Sequence, residues 1–456
     1  MNSIRFVSEH FETLRNYLFS FPGKEAAAFA LAGAFTNDSG THFAVREVML
    51  PSATDYDTQT AYHLQVSPIF FNRVIDKAEN ENLAVVICHS HPWESKRLEY
   101  SPSDDFGEDN SVKTLTECLN RKPVASLLFG KTNIIGRVRH SRSSSPIQLG
   151  QLRLVDHHLR FLNLTSVMGK TRKVIPTVFS RQVLTFGAQV QQILENLKIG
   201  IIGLGGTGSC VAEQLVRLGI RDFLLVDKDC FEPSNLSRLY GSDSNDLTNK
   251  SLWKVSITER NIKRTFPSAK VECIFGDVIN QRTLSRLKNC DVIFSCTDSH
   301  SSRSVVNEMA YQYFIPVIDM GVGLDAPNSQ LRGGTIRVSL VSPTMPCFFC
   351  QDIIRSDIIS AELLPEKDRA LREREGYVRG VQPSHAPSLV SFTTTAAGYG
   401  VDLFIDILCS YIKNPASNYV LDIQTFSSRR MVGVPRTDCV CAKRLGRGDY
   451  MSLSAP

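Results

Sequence analysis

The chain has 456 residues, of which 42% are hydrophobic and 21% charged, and its formal net charge is +5 at pH 7. This length exceeds what one hydrophobic core serves, so we expect at least two domains, and the small charge without a long basic run argues against nucleic-acid binding. Charged residues between Met1 and Tyr17 argue against a signal peptide, and no uncharged stretch is long enough to span a bilayer, so we expect a cytoplasmic protein without a membrane segment.

Residues 1–145 are predicted to form a mixed α/β domain. Apolar residues at helical spacing indicate its helices, and apolar runs bounded by Gly, Pro, Asn or Ser indicate its strands. The expected helices cover 7–18, a segment opened by Ser67-Pro68, and a segment that begins near Ser101; the expected strands cover 26–35, a segment around Glu47, 83–88, 124–129 and 133–138.

Two histidines, a carboxylate and an upstream acid in this domain have the composition of a hydrolytic zinc site. His89 and His91 are two residues apart at a predicted strand end, so both imidazoles can point to the same side. Asp104 would add a third ligand and leave a fourth tetrahedral position to water, as in catalytic zinc sites. Glu47 is the expected general base, and Ser101 is the expected hydrogen-bond donor to the oxyanion.

Each fragment of this pattern also has an ordinary structural interpretation. Ser101-Pro102-Ser103-Asp104 is a typical helix start, with Ser at the N-cap and Pro at the first helical position. His89 and His91, taken singly, are typical of core or turn histidines with satisfied hydrogen bonds. Their combination with a strand end, a capped helix and an upstream acid favours a metal site.

The order Glu, His-x-His-Pro and Ser-x-x-Asp resembles the JAMM (Mov34/MPN) metalloprotease family. Its members are largely isopeptidases and peptidases that act at the C-termini of ubiquitin and ubiquitin-like proteins. The resemblance implies that His89, His91 and Asp104 bind zinc, that Glu47 is the base and that Ser101 donates to the oxyanion.

A second domain is expected over 178–445, after a connector over 146–177 and before a tail over 446–456. It begins with a buried strand from Lys198 to Gly203 and a helix that Gly219 can end. Between them, Gly203-Leu204-Gly205-Gly206-Thr207-Gly208 predicts a turn whose backbone N–H groups approach a phosphate. Asp227 ends the next strand and is placed for a ribose hydroxyl.

The same glycines and Asp227 also satisfy the fingerprint of dinucleotide-binding dehydrogenases, and these residues alone do not separate the two interpretations. Polar residues farther along favour phosphate chemistry, because hydride transfer has no evident use for a convergent set of phosphate ligands. Arg238 and Lys254 are suited to triphosphate charge, and Asp298 is suited to a magnesium ion. The full set is Asp229, Asn235, Arg238, Lys254 and Asp298.

Two cysteine pairs predict a second zinc site. Cys347 and Cys350 form one pair, and Cys439 and Cys441 form the other. Four thiolates leave no open coordination position, so this zinc would be structural. The alternative is four buried cysteines without a metal.

From Phe179 to Cys441 these motifs resemble the ubiquitin-activating and ThiF-type adenylyltransferase family. The resemblance implies a Rossmann-like, doubly wound fold and the adenylation of a ubiquitin-like protein's C-terminal carboxylate by ATP and magnesium. The matching segments are Ser180-Arg181-Gln182, the glycine-rich turn, Asp227-Lys228-Asp229, Asn235-Leu236-Ser237-Arg238, Trp253-Lys254-Val255, Cys296-Thr297-Asp298 and the cysteine pairs.

The same resemblance implies roles for individual residues. The glycines and Asp227 would bind the nucleotide, and Asp298 would hold magnesium. Asn235, Arg238 and Lys254 would handle the phosphates. Arg181 matches an arginine that reaches into the neighbouring subunit's site, which implies a homodimer.

The chain departs from the family pattern at two places. Leu239 stands where the family often has Gln, and Leu cannot make the same polar contacts. From Gln351 to Leu408 the chain has no cysteine, although members that form a thioester use one in this region. The missing cysteine argues against transfer through a thioester on this chain, but the sequence does not decide whether one forms.

Together, the two resemblances predict an α/β protein in which a zinc (iso)peptidase and an adenylating domain act on the same flexible C-terminus, as in bacterial ubiquitin-like modification systems. The expected pathways are protein conjugation through a separate conjugating enzyme, in some systems for antiphage defence, and sulfur-carrier activation. A dinucleotide-binding oxidoreductase or sensor with an inactive N-terminal scaffold and a binding adaptor without turnover stay open as alternatives.

Overall fold

The computed structural model describes residues 1–93, 97–164, 175–249, 251–365, 367–368 and 387–453. These residues form two compact units. Unit 1 contains the described residues of Met1–Arg172 together with Gln312–Phe314 and Arg444–Ser452. Unit 2 contains the described residues of Lys173–Tyr311, Ile315–Lys443 and Leu453–Pro456.

Unit 1 is built on a mixed β-sheet with helices on both faces. Its helices are α1 (Ser8–Leu18), α2 (Pro68–Asn80) and α3 (Pro102–Cys118). Its sheet strands are β1 (Asn2–Phe6), β2 (Ala27–Asn37), β3 (Gly40–Met49), β6 (Ala84–Ser90), β7 (Val124–Phe129), β8 (Ile134–Arg139), β9 (Ile147–Val155) and β10 (Leu159–Asn163); β4 (Tyr56–Gln59) and β5 (Leu64–Val66) form a separate ribbon.

The described strands of this sheet lie in the order β1-β3-β2-β6-β7-β8-β9-β10. Strand β1 pairs with β3 and also with β9, so the sheet closes on itself. Strand β2 is antiparallel to β6, with Ala27 opposite His89. This register places the predicted histidines where β6 ends, beside the beginning of β2.

The core of unit 1 lies on both faces of its central strands. Successive residues of a strand point to opposite faces, so β2 and β6 contribute to two apolar clusters. Because both faces are buried, β2 is apolar nearly throughout, instead of alternating with polar residues. One cluster includes Ala28, Ala30, Val86, Leu127 and the α1 residues Phe11, Leu14 and Leu18; the other includes Phe29, Leu31, Val85 and the helix residues Val74 and Leu115.

Unit 2 contains a second extended sheet and most of the remaining helices. Its strands are β11 (Lys198–Ile202), β12 (Asp222–Asp227), β13 (Lys270–Phe275), β14 (Val292–Ser295), β15 (Val317–Asp325), β16 (Gly333–Val341), β17 (Asn418–Asp422) and β18 (Ser427–Met431). Among the described residues, the helices that follow α3 are α4 (Ser180–Asn196), α5 (Gly206–Leu218), α6 (Lys254–Thr265), α7 (Gln281–Leu287), α8 (His300–Gln312), α9 (Ser356–Glu362), α10 (Val390–Cys409) and α11 (Val440–Arg444).

The described strands of unit 2 lie in the order β13-β12-β11-β14-β15-β16-β17-β18. The first five are parallel, and β16, β17 and β18 are antiparallel to their neighbours. The predicted Rossmann-like domain is confirmed in this parallel half. The chain order reverses between β11 and β14, and residues that follow these strands meet at that edge.

Two predicted boundaries differ from the structure. The expected connector over 146–177 contains β9 and β10, and β9 pairs Leu149 with Asn2 of β1. Part of the expected tail over 446–456 packs in unit 1, where the Gly446 carbonyl accepts a hydrogen bond from Gly33 N at 2.8 Å. Both pairings join residues distant in sequence, so local composition carried no signal for them. Residues 165–174 of the connector and 454–456 of the tail lie outside the described residues.

In the part of the chain that the structure describes, none of the helices has the combined length and apolar character needed to cross a bilayer.

Candidate functional site

The glycine-rich turn between β11 and α5 lines a cavity of about 650 Å³ in unit 2. Gly203 has a φ of +84°, and a Cβ there would lie 2.8 Å from the Cys296 carbonyl oxygen. A Cβ on Gly208 would lie 1.8 Å from the Gly203 oxygen, so both positions require glycine. Gly205 is the N-cap of α5, and beside Gly206 it borders the cavity. The N-terminus of α5 thus offers backbone N–H groups to an anion.

Asp227 fixes the shape of this turn from the end of β12. Its Oδ2 accepts a hydrogen bond from Leu204 N at 2.6 Å, and its Oδ1 accepts one from Asp229 N at 2.8 Å. Burial raises the pKa of Asp227, although nearby Lys254 opposes that effect. The carboxylate lines the cavity and retains lone pairs that can accept from a ribose hydroxyl.

Two cations and an acid from successive loops line the same cavity. Lys254, the first residue of α6, forms an ion pair of 2.8 Å with Asp229. Arg238 Nη1 donates to the Ser234 carbonyl oxygen at 2.8 Å. Lys254 and Arg238 are therefore held by the chain itself while they border the space that a triphosphate would need.

Asp298 follows β14 and lines the cavity on the other side of the glycine turn. Arg303 holds the backbone of this loop. Its Nη2 donates to the Thr297 carbonyl oxygen at 2.6 Å, and its Nη1 donates to the Asp298 carbonyl oxygen at 3.2 Å. The Arg303 Nε donates at 3.0 Å to Asp319, which is fully buried. A carboxylate on a fixed loop beside cationic side chains suits a magnesium ion that also binds phosphate oxygens.

The structure does not bring every predicted residue into the cavity. Asn235 is buried, and its Oδ1 accepts from Glu232 N at 3.0 Å, so it stabilises the turn that carries Arg238. Gly208 packs beneath the glycine turn. Arg181 is exposed on α4 and does not border the cavity.

Three residues that sequence reasoning missed also line the cavity. Asp277 follows β13, and its carboxylate pairs with Lys228 at 2.9 Å. The segment Gly276-Asp277-Val278 directly after a strand could have indicated it, because β13 is the neighbour of β12. Arg303 and Arg337 had no comparable signal, since their relevance depends on the buried Asp319 between them.

The four predicted zinc-binding cysteines lie together in unit 2. Sγ of Cys347 is 3.6 Å from Sγ of Cys350 and 3.5 Å from Sγ of Cys439, and Cys350 is 3.8 Å from Cys441. A tetrahedral zinc with bonds of about 2.3 Å has S···S edges of about 3.8 Å, so the donor set fits the metal. A hydrogen bond with Cys441 lowers the pKa of Cys347, which favours a thiolate there.

A second group of candidate metal ligands lies in unit 1. His89 Nε2 is 3.4 Å from Asp104 Oδ1, and His91 Nε2 is 3.3 Å from Asp104 Oδ2. Bonds of about 2.0–2.1 Å to a tetrahedral zinc separate the donor atoms by about 3.3–3.4 Å. The buried His89 Nε2 has no hydrogen-bond partner among the described residues. These observations fit a metal held by the three side chains.

Asp104 is pre-oriented by the start of α3. Ser101 N donates to Asp104 Oδ2 at 2.7 Å, and Asp104 N donates to Ser101 Oγ at 3.2 Å, which is a capping box. Burial opposes ionisation of Asp104, but its contacts with His89 and His91 outweigh this effect and lower its pKa. The Ser101 hydroxyl, predicted to donate to an oxyanion, is occupied here as a helix cap and contacts Ser103 Oγ at 2.8 Å.

The acid beside this group is Glu25, whereas sequence reasoning selected Glu47. Glu25 is buried, and its Oε1 lies 3.5 Å from His91 Nε2. Glu47 pairs with Lys77 and lies opposite Leu31 on β2, four residues beyond Ala27, the partner of His89. Four residues of a strand span about 13 Å, so Glu47 does not reach the histidines. Its place in the sequence could have indicated Glu25, because it lies just before β2, and β2 pairs with the strand that ends at the histidines.

Comparison with known proteins gives one family and several partial relatives. The sequence model of the ThiF family matches residues 179–442. The chain is 28% identical over 166 residues to ubiquitin-like modifier-activating enzyme 5 of Oryza sativa subsp. japonica, which covers 34% of this chain and 38% of that protein. It is 30% identical over 144 residues to sulfur carrier protein ThiS adenylyltransferase of Bacillus subtilis (strain 168), which covers 31% of this chain and 42% of that protein.

The matched stretch thus spans only about two fifths of the length of these curated relatives. Among solved structures, E. coli MccB with AMPCPP and MccA has a TM-score of 0.47 at 19% identity, over 60% of this chain and 75% of that chain. The family match covers more than half of this chain and includes the glycine-rich turn, the polar strand ends and the cysteine pairs. Because that family match covers more than half of its length, the chain belongs to the ThiF family.

Proposed function

We propose that unit 2 adenylates the C-terminal carboxylate of a ubiquitin-like or sulfur-carrier protein with ATP. The observation that carries the proposal is the cavity in which the glycine turn, Lys254, Arg238 and Asp298 meet. The names of the relatives support this substrate class, because one activates a ubiquitin-like modifier and another is an adenylyltransferase for the sulfur carrier ThiS.

In the proposed reaction, a carboxylate oxygen of the substrate attacks the α-phosphorus, the bond to the β-phosphate oxygen breaks, and pyrophosphate leaves. The N-terminus of α5 binds phosphate oxygens, and Asp227 accepts a hydrogen bond from the ribose. Lys254 and Arg238 stabilise charge on the departing pyrophosphate. Magnesium, when held by Asp298, neutralises phosphate charge. The protein's contribution is positioning and electrostatic stabilisation.

The acyl group leaves the adenylate for an acceptor outside this chain. Cys296 lines the cavity, but burial raises the pKa of its thiol well above the ordinary value, so it is a poor nucleophile. The sequence has no cysteine from Gln351 to Leu408. A thiol of a separate conjugating enzyme or a sulfur donor is the proposed acceptor.

The test is ATP–pyrophosphate exchange by the full chain with a purified ubiquitin-like or sulfur-carrier protein as substrate. Exchange should require a free C-terminal carboxylate on that protein and should be lost in Asp298→Ala. Tight NAD binding without exchange would instead support a dinucleotide-binding oxidoreductase or sensor.

We further propose that unit 1 is a zinc-dependent (iso)peptidase of the JAMM type, acting on the same C-terminus. The geometry of His89, His91 and Asp104 supports zinc binding, and the position of Glu25 supports its role as general base in place of Glu47. When bound, zinc would act as a Lewis acid and lower the pKa of a coordinated water. Glu25 would accept a proton from the attacking water and pass it to the leaving amine.

The peptidase proposal is tested by zinc analysis and by cleavage of a ubiquitin-like protein extended beyond its terminal glycine. A chain that binds zinc but leaves every extended substrate intact would contradict it. The proposed setting is a bacterial ubiquitin-like modification system in the cytoplasm, including antiphage defence. We also propose that the chain forms a homodimer in which Arg181 reaches the neighbouring subunit. Sedimentation of the purified chain tests the homodimer.

A further inference from the structure

One face of three antiparallel strands extends the nucleotide cavity. In the register of β15, β16 and β17, Gly321 lies opposite Arg337, which lies opposite Val420. Gly323 lies opposite Thr335 in the same way. Directly opposite residues share a face of an antiparallel sheet, and all five of these residues line the cavity. The side chains of this face therefore border the space beyond Asp298.

Two guanidinium groups share one buried carboxylate on this face. Asp319 is fully buried; its Oδ1 accepts from Arg303 Nε at 3.0 Å, and its Oδ2 accepts from Arg337 Nη2 at 2.6 Å. Ser295 Oγ also donates to Asp319 Oδ1 at 2.8 Å. One carboxylate balances only one of the two cations, so the cluster keeps a net positive charge beside the cavity. A partly buried unbalanced cation favours an anionic ligand.

The two arginines differ in how many of their donors the chain uses. Arg303 donates to Asp319 and to the carbonyl oxygens of Thr297 and Asp298. Arg337 donates to Asp319 and, through Nη1, to Ser339 Oγ at 2.8 Å. A guanidinium has five N–H donors, so Arg337 retains donors for a ligand. Its side chain is 20% exposed, whereas that of Arg303 is 10% exposed.

Glycines keep the approach to Arg337 open. A Cβ on Gly321 would lie 3.1 Å from Arg337 Nη2, and a Cβ on Gly323 would lie 3.4 Å from Thr335 Oγ1. Without those side chains, an extended peptide with small residues can lie along β15. A planar guanidinium at the end of such a path matches a carboxylate with two parallel hydrogen bonds.

We propose that Arg337, held by Asp319, binds the C-terminal carboxylate of the substrate and orients it toward the α-phosphate. This inference rests on the proposed adenylation and adds the residue that receives the substrate. The phosphates are left to Arg238, Lys254 and the α5 N-terminus. The other anion that could occupy the position is a phosphate of ATP, and the experiment separates the two.

The experiment titrates two synthetic hexapeptides, Ala-Ala-Leu-Ala-Gly-Gly with a free carboxylate and the same peptide as its C-terminal amide. The full chain is first saturated with Mg²⁺ and α,β-methylene-ATP, and calorimetry measures each affinity. The parent should bind the free acid at least about tenfold more tightly than the amide, because a charge-assisted hydrogen bond is lost in the amide. In Arg337→Gln, the ratio of acid to amide affinity should fall to about one, while the affinity for the nucleotide stays unchanged.

Two further variants control for folding and charge. Arg332→Gln removes an exposed arginine outside the cavity and should leave both affinities unchanged. Arg337→Lys, which keeps the charge but not the planar fork, should recover part of the acid-to-amide ratio. Thermal unfolding of each variant identifies any that fail to fold.

Three results would overturn the inference. These are equal binding of acid and amide by the parent, an unchanged ratio in Arg337→Gln, and a loss of nucleotide affinity in Arg337→Gln without a change in the ratio, which would make Arg337 a phosphate ligand. Failure of the parent to bind the nucleotide would instead count against the proposed adenylation itself. The two failures are therefore distinguishable.

Discussion

The carboxylate of Glu25 lies 3.5 Å from Nε2 of His91, although 65 residues lie between them in the sequence. Glu25 lies just before β2, and His91 lies just after β6. The hydrogen-bonded register explains this proximity, because Ala27 is opposite His89. Glu25 is also anchored by its own backbone, since its N donates to the Thr60 oxygen at 2.9 Å. A fixed, buried acid beside two imidazoles is suited to moving a proton.

Glu25→Gln should therefore reduce peptidase turnover by about 10²–10⁴-fold, the usual effect of losing a general base. Glu47→Gln is the matched control, because Glu47 pairs with Lys77 away from the histidines. Turnover of an extended ubiquitin-like substrate and the zinc content of both variants are the measurements. Full activity in Glu25→Gln, with a large loss in Glu47→Gln, would restore the base predicted from the sequence.

Removal of one structural thiol should change zinc content and stability together. Cys441→Ser should lower the bound zinc from two ions per chain to one and lower the melting temperature, because a structural zinc contributes its binding free energy to folding. His89→Ala should also remove one zinc, but with a smaller loss of stability, because its site stays open on one side. Atomic absorption and calorimetry measure both effects. Unchanged zinc content in Cys441→Ser argues for four cysteines without a metal.

Asp298→Asn should weaken nucleotide binding only when magnesium is present. In the parent, Mg²⁺ should increase ATP affinity, and that increase should disappear in the variant, since the amide cannot hold the cation as the carboxylate does. Lys254→Ala should weaken binding with or without Mg²⁺, by roughly 10- to 100-fold for a lost charge-assisted hydrogen bond. Lys263→Ala, on the exposed part of α6, is the control. An Mg²⁺ effect that survives in Asp298→Asn contradicts its assigned role.

His42 should make the stability of unit 1 depend on pH. Burial, reinforced by the nearby charges of Arg5 and Arg153, lowers its pKa to about 2. Between that value and the ordinary pKa of about 6.5, the unfolded chain binds a proton that the folded chain does not. His42 therefore leaves the free energy of unfolding unchanged above about pH 6.5. Below that pH it lowers the free energy of unfolding by up to about 1.4 kcal/mol per pH unit.

The measurement is the free energy of unfolding of the parent and of His42→Asn at several pH values near 5 to 8. The difference between their slopes isolates His42 from His10, whose pKa burial also lowers. Slopes that coincide would exclude the effect. NMR titration of the parent provides a second readout, because the His42 ring should stay neutral through about pH 5.

Local sequence patterns predicted much of both units correctly. The apolar runs gave the central strands of unit 1, and Ser67-Pro68 gave the start of α2, where the Ser67 hydroxyl accepts from Phe70 N at 3.3 Å. The positions of the glycine-rich turn between β11 and α5 and of Asp227 at the end of β12 were predicted, because they depend on a few adjacent residues. Strands β9 and β10 were missed, because β9 pairs with β1 across the whole unit.

The sequence by itself determined the turns and the candidate ligand residues, since a glycine at positive φ, a helix cap or a pair of histidines two apart acts through its immediate neighbours. Only the tertiary structure decided which distant charges meet. Strand register brings Glu25 to His91 although they are distant in the chain, and the packing of α8, β15 and β16 lets Arg303 and Arg337 share Asp319. Register depends on all the paired residues of a sheet at once, so no local motif encodes it.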